Sequence, residues 1–190
     1  MKHAELIRCP WCGTDDLYTK YHDEEWGKQV TSDRILFEFL VLESAQAGLS
    51  WITILRRREG YRNAFSNFDY NEVAQFDQNK IEELVLDASI IRHRGKIEAT
   101  VKNAQVFIAI QKEFGSFYQY LYSFMPDKKR MVNALPDMKS AATHSAESDA
   151  IAKDLKKRGI KFFGTTICYA YMQAVGMVDD HLNDCSFKQG

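Results

Sequence analysis

Between Ile35 and Leu49 apolar residues fall on almost every face of a helical projection, which predicts a buried helix rather than a surface one. Leu36, Leu40, Glu43 and Ala47 share one face of that helix, so Glu43 interrupts an apolar stripe, while Glu38 lies well round from it. Gly48 then breaks the pattern ahead of Leu49, Ser50 and Trp51. A buried, unpaired carboxylate is costly, so Glu43 has either a partner, such as an Arg or a backbone amide, or a purpose.

The other periodic stretches are also helical. Residues 9–27 read as irregular, polar and aromatic. Ser32 or Asp33 is placed to cap the buried helix, and Ser50 a following one from Trp51 to about Glu59. Asp69 with Glu72 has capping-box spacing, and Asp77 opens a helix carrying Ile81, Leu84, Val85 and Ala88. A long helix follows, with Ile97, Val101, Ala104, Phe107 and Ile108 as its inner face. Residues 126–145, with Pro126 and Pro136, read as a linker. Ser148 is placed to cap a helix ending at Gly159, and Gly164 to Val175 reads as a buried aromatic helix closed by Gly176. No alternating strand pattern emerges, so the expected class is all-α.

Composition adds bounds. The chain has 190 residues, 45% apolar and 13% aromatic, enough for one domain or two small lobes with a core. A net charge of −1 neither demands nor excludes a polyanionic partner. No apolar run approaches the ~20 residues of a membrane helix, and the start from Met1 to Arg8 has no leader-like segment. The expected location is cytoplasmic, with no membrane partner.

Three groups of residues carry candidate chemistry. Cys9, Cys12, His22, His181 and Cys185 are ligands of the kind zinc selects, at opposite ends of the chain. Two Cys and two His would close a structural site, with neighbouring acids as supports; a Cys9–Cys12 redox pair is the competing reading. Arg92, His93, Arg94, Gly95 and Lys96 lie in a turn between two amphipathic helices, where amides and cations suit a phosphodiester backbone. Those cations precede a helix and so oppose its dipole, a conflict that an anionic ligand resolves. Further basic clusters are Arg56–Arg58 and Lys153–Lys161, where five cations face one Asp. Tyr18, Tyr21, Trp26 and Trp51 follow no clear core stripe and suit either core cover or a pocket that stacks a planar ligand. A buried carboxylate, loose aromatics and a basic hairpin together suggest a pocket for a flipped nucleobase.

Several long motifs occur in one order: Tyr21-His22-Asp23-Glu24-Glu25-Trp26-Gly27, Ala47-Gly48-Leu49-Ser50-Trp51-Ile52-Thr53, Ile90 to Ile97, and Lys156-Lys157-Arg158-Gly159 with Gly164 to Tyr169. Together they resemble the 3-methyladenine DNA glycosylase I family, from about Cys9 to Cys185, with 126–145 least similar. The resemblance implies an all-α, helix-hairpin-helix glycosylase fold with a zinc site joining the terminal segments. It implies a single unit over 1–190, with a hairpin lobe at about 32–125 and a terminal lobe of about 1–31 with 145–190. It makes Cys9, His22, His181 and Cys185 the ligands of one structural zinc ion and leaves Cys12 over. Glu43 becomes the carboxylate that recognises the base and is its catalytic candidate. Tyr18, Tyr21, Trp26 and Trp51 match the pocket aromatics, Leu49 a residue at the DNA face, and Arg92–Lys96 the hairpin.

Two positions depart from the family pattern. Ser89 stands where its hairpin usually has Gly, and Ser44-Ala45-Gln46 where it has Gly-Gln-Gln. The implied activity is hydrolysis of the N-glycosidic bond of N3-methyladenine in alkylated duplex DNA by a monomer, without strand cleavage. In keeping with that, Glu98 is the one acid between Ile97 and Lys112, and no Asp/Lys pair follows the hairpin. The alternatives are a non-catalytic lesion-binding protein of the same fold and a thiol oxidoreductase; the latter lacks a βαβ pattern after its CxxC.

Overall fold

The computed structural model describes residues 6–189; residues 1–5 and Gly190 of the expected unit lie outside the described residues. The helices are α1 (Asp16–Glu24), α2 (Asp33–Gln46), α3 (Trp51–Leu55), α4 (Arg58–Ala64), α5 (Tyr70–Val73), α6 (Gln78–Leu86), α7 (Arg94–Phe114) and α8 (Phe117–Tyr122). Strand β1 (Met131–Val132) precedes α9 (Ala146–Arg158) and α10 (Thr165–Ala174), and β2 (Val178–Asp179) follows them. No helix among the described residues is long and apolar enough to cross a membrane.

Helix α2 is the centre. Every residue from Leu36 to Ala45 is buried, and α3, α7, α8 and α10 all pack against it. That surround is what an all-round apolar pattern requires, since each face removes apolar area from water. Ile35, at the start of the apolar pattern, is 40% exposed. The helix holds two acids, Glu38 and Glu43, and both are buried. Asp33 does not cap its own helix. Its carboxylate accepts the backbone N–H groups of Phe117 (2.8 Å) and Tyr118 (3.0 Å), so it holds the start of α8 across the fold.

Several elements differ from the sequence expectation. The segment read as irregular contains α1, capped by Asp15, whose side chain accepts the Tyr18 N–H. Its inward face is Tyr21 and His22 rather than aliphatic residues, so it carries no ordinary helical stripe. The helix expected from Trp51 to Glu59 is two short ones, α3 and α4, separated at Arg56–Arg57. The Ser32 and Ser50 side chains make no cap bond; the Ser50 hydroxyl meets that of Thr53 at 2.7 Å. Ser145, not Ser148, caps α9, and Ser148 returns a bond to the Ser145 N–H. The linker is not a free spacer. Its β1 pairs in parallel with β2, and Leu135 bridges Leu182. Asp69 and Asp77 cap α5 and α6 as expected, and Gly159 ends α9 in a left-handed conformation.

The turn between α6 and α7 is fixed at several points. Asp87 accepts the Ser89 N–H at 2.8 Å, and the Tyr61 hydroxyl accepts the Ile91 N–H at 3.3 Å. Ser89 does not adopt a positive φ, so its departure from Gly introduces no left-handed strain. It instead lies against Gly60: a Cβ there would meet the Ser89 carbonyl oxygen at 2.4 Å. The Lys96 ammonium donates to the carbonyls of Ala45 (2.8 Å) and Ala47 (2.6 Å). It therefore closes the C-terminal end of α2, where the dipole favours a cation.

The contact at Gly60 gives a direct test. Gly60→Ala should lower stability by about 1–3 kcal/mol through overpacking against the hairpin, read by chemical denaturation. Unchanged stability would show that the close approach is not rigid.

Candidate functional site

A cavity of about 210 Å³ opens between α1, α2, α3 and α10. Trp11, Tyr18, Tyr21, Trp26 and Trp51 form its aromatic walls, and Glu43 reaches it from α2. Met138, Ala141, Gln173 and Asp180 complete the lining together with Gln46 and Ala170. The space is below the ~300–1,000 Å³ usual for drug-sized ligands, which suits one flat heterocycle. The aromatic rings brace one another. Trp11 stands edge-on to Trp26 (4.8 Å between centroids) and Tyr18 (5.1 Å), and Tyr21 tilts on Trp51 at 5.4 Å.

The two buried acids of α2 have opposite environments. Glu38 receives Arg58 Nε at 2.7 Å and an Arg62 nitrogen at 3.2 Å. Arg58 also grips Glu25 through contacts of 2.7 and 2.8 Å. Glu43 has neither an ion pair nor a hydrogen bond among the described residues, and its Oε2 is buried without a partner. Burial alone pushes its carboxyl up to about 8. The paired, structural reading open to Glu43 from sequence thus belongs to Glu38 instead. The Trp51 Nε1 donor on the cavity wall is likewise buried and unpartnered. Asp180 is not free in this way: it accepts from the Tyr169 hydroxyl (2.8 Å), Gln173 (2.7 Å) and Asn133 (2.7 Å).

Behind the aromatic wall the chain ends meet. Ligand atoms of Cys9, His22 and Cys185, all buried, lie within 4.8 Å of one another. His181 lies outside that group, but its ring is 4.9 Å from that of His22. Each histidine is oriented by a neighbouring carboxylate. Asp23 holds His22 Nδ1 and Asp179 holds His181 Nδ1, both at 2.7 Å. The opposite nitrogens face inward: His22 Nε2 is 3.6 Å from Cys185 Sγ, and His181 Nε2 is buried with no partner. Two thiols and two carboxylate-held imidazoles form the donor set that Zn²⁺ prefers, so these residues fit the ion. The Cys12 thiol turns away, to the Cys9 carbonyl at 3.1 Å. Trp26 links this cluster to the cavity, edge-on to His181 at 4.6 Å.

The hairpin residues are not all available to a ligand. Lys96, expected at the DNA face, donates to the carbonyls of Ala45 and Ala47, which supply the negative partner its position demanded. Arg94 is held by Glu82 through bonds of 2.7 and 2.6 Å. His93 caps α7, its Nδ1 accepting the Lys96 N–H at 3.2 Å. Arg92 is exposed and makes no ion pair among the described residues, and Gly95 lies beside the His93 ring. Leu49 is 41% exposed, just after Gly48, whose φ of +82° turns the chain out of α2.

The cavity therefore brings together Tyr18, Tyr21, Trp26, Trp51 and Glu43. Sequence reasoning missed Trp11, Gln46, Met138, Ala141, Ala170, Gln173 and Asp180. Trp11 carried a signal, lying between Cys9 and Cys12; the polar Met138–Ala141 stretch carried none.

A family model for methyladenine glycosylase matches residues 11–189. A DNA-3-methyladenine glycosylase of Haemophilus influenzae is 48% identical, over 95% of this chain and 97% of that one. DNA-3-methyladenine glycosylase 1 of Escherichia coli is 46% identical, over 97% of this chain and 98% of its own. A crystal structure of 3-methyladenine DNA glycosylase I superposes with a TM-score of 0.93 at 45% identity, covering 96% of this chain and 100% of that one. With nearly complete coverage by sequence and by structure, this chain belongs to the methyladenine glycosylase family.

Proposed function

We propose that the protein excises N3-methyladenine from alkylated double-stranded DNA by hydrolysis, as a cytoplasmic monomer. The observation that carries this reading is the buried, unpartnered Glu43 at an aromatic cavity of base size. A group left so costly is expected where a ligand supplies the missing partner. N3-methyladenine attached to deoxyribose is a cation with an exocyclic amine. Ionised Glu43 accepts a hydrogen bond from that amine and attracts the ring's charge, while Tyr21, Trp51, Trp11 and Trp26 stack and desolvate it. The base leaves neutral, so departure needs no strong general acid, and water attacks the sugar. The reading assigns no strand-cleaving step, because the lysine of the hairpin, Lys96, is already bound to carbonyls.

Extrusion of the base is assigned to the Gly48–Leu49 turn, with Leu49 filling the gap in the duplex. The α6–turn–α7 unit is read as a helix-hairpin-helix that meets the phosphodiester backbone through Arg92, His93 and the amides near Gly95. Cys9, His22, His181 and Cys185 would hold one zinc ion. With four protein ligands its contribution is structural, tying the terminal segments behind Trp26 and Trp11.

The decisive assay is release of free 3-methyladenine from methylated duplex DNA. Wild-type protein should release it, and no release at stoichiometric protein would overturn the reading in favour of a non-catalytic lesion binder. Because Glu43 must be ionised to meet the cation and is protonated below about pH 8 in the free protein, kcat/KM should rise with pH and level off above that value. Glu43→Gln should lose about 100-fold or more in kcat/KM and show no such rise. A wild-type rate in that variant would remove Glu43 from the chemistry. Metal analysis should find one zinc ion per chain, and retention of the ion after combined Cys9→Ala and Cys185→Ala substitution would contradict the ligand assignment.

A further inference from the structure

A second concavity is not used by the base chemistry. It is a groove of about 870 Å³ between the end of α9 and the start of α10, across the connecting segment 159–164. Lys153, Lys156 and Lys161 lie in its lining, all exposed and without an ion pair among the described residues. Asp149 is the one carboxylate there, and it accepts the Thr165 hydroxyl. Helix dipoles explain part of this charge only. Lys156 is at the C-terminal end of α9, where a cation is favoured, but Lys153 is mid-helix. Lys161 precedes the N-terminus of α10, where the dipole opposes it.

The segment carrying Lys161 is held rigid against α7. Asn103, buried on α7, donates to the Lys161 carbonyl (3.1 Å) and accepts its N–H (2.9 Å). The next residue, Phe162, has a φ of +56° and is 38% exposed. A bulky residue held at positive φ is strained, and here the strained backbone leaves an apolar ring in water. That ring adjoins the hairpin: it is 5.8 Å from the His93 ring, and its Cζ is 3.7 Å from where a Cβ on Gly95 would stand. Lys96 in turn ties the hairpin to the α2 carbonyls just before Gly48 and Leu49. Leu49, the hairpin, Phe162 and the lysine groove are therefore joined by successive contacts.

We propose that this groove is a second DNA attachment site, which takes the sugar–phosphate backbone flanking the lesion. The inference rests on the glycosylase reading for its choice of duplex DNA as the anion. Lys153, Lys156 and Lys161 neutralise successive phosphates, and Phe162 packs on a deoxyribose face between the groove and the hairpin. The hairpin has few free cations, since Arg94 and Lys96 are engaged within the protein. The groove supplies the charge that the hairpin lacks.

The test is the salt dependence of binding to unmethylated duplex DNA, read by fluorescence anisotropy on the full chain. Each phosphate contact contributes about 0.9 to the slope of log K against log salt. Combined Lys153→Gln, Lys156→Gln and Lys161→Gln should flatten the slope by about 2–3. Phe162→Ala should weaken binding at an unchanged slope. Free 3-methyladenine, followed by tryptophan fluorescence, should bind both variants as it binds wild type, which shows that the cavity is intact. An unchanged slope in the triple variant would overturn the groove assignment, even while wild-type protein still released base. The groove assignment also fails if the variant keeps its slope but loses affinity for a polyglutamate peptide, which would make the groove a protein-docking surface. Flattening without any base release would keep the groove and overturn the glycosylase reading.

Discussion

The burial of Glu43 without a partner is the constraint on which the rest of the structure depends. A carboxylate taken from water into an apolar helix is unfavourable by several kcal/mol unless it is paired or protonated. Protonation is the free protein's answer, since burial lifts this carboxyl to about 8. The cost is offset by the apolar residues of α2 around it, which pack against four other helices. The contrast with Glu38 is informative. Five residues earlier on the same helix, another buried acid has two arginines. The fold is thus able to satisfy an acid on α2 and leaves one unsatisfied where it adjoins the aromatic cavity.

That arrangement holds only if the aromatic walls stay in place, and they come from segments with little core of their own. Trp11 lies in a short 3-10 turn, Tyr18 and Tyr21 on α1, and Trp26 just beyond that helix. What secures them is the convergence of Cys9, His22 and Cys185, the His181 ring packed edge-on to that of His22, and the two aspartates that orient the imidazoles. Asp179 is fully buried, so its pairing with His181 and Arg130 is part of the same staple. Trp26 transmits the position of this cluster to the cavity by direct ring contact.

Charge at the hairpin is divided in a similar way between internal and open positions. Sequence places a row of cations there, but Arg94 and Lys96 are held by Glu82 and by the α2 carbonyls. These contacts give the turn its rigidity and join it to Gly48–Leu49. Arg92 makes no ion pair among the described residues, and further unpaired charge lies on the neighbouring segment with Lys161 and Phe162.

Much was legible from the chain alone, because it is local or repeated. Helix α2 and its two acids, the caps at Asp69 and Asp77, the end of α9 at Gly159 and the helix before Gly176 all follow from periodicity and capping chemistry. The aromatic cavity residues and the Cys/His set were also readable, through motifs in a specific order. Other features are products of distance in sequence. Asp33 reads as a cap for its own helix but serves α8, because the open N–H groups of Phe117 and Tyr118 are brought to it. Helix α1 was hidden because its buried face is Tyr21 and His22, which carry no aliphatic stripe. Asp179 and Asp180 read as acids that support a metal site, but the partners that bury them, Arg130, Asn133, Tyr169 and His181, could not be paired with them from sequence. Sequence by itself singled out Glu43, Tyr18, Tyr21, Trp26, Trp51 and the Cys/His set as candidates. Only the tertiary structure decided which of them are already satisfied, because a hydrogen bond between distant residues leaves no local pattern: helical position separates Glu43 from Glu38 in sequence, but the arginines that reach Glu38 alone show which acid is left unpaired.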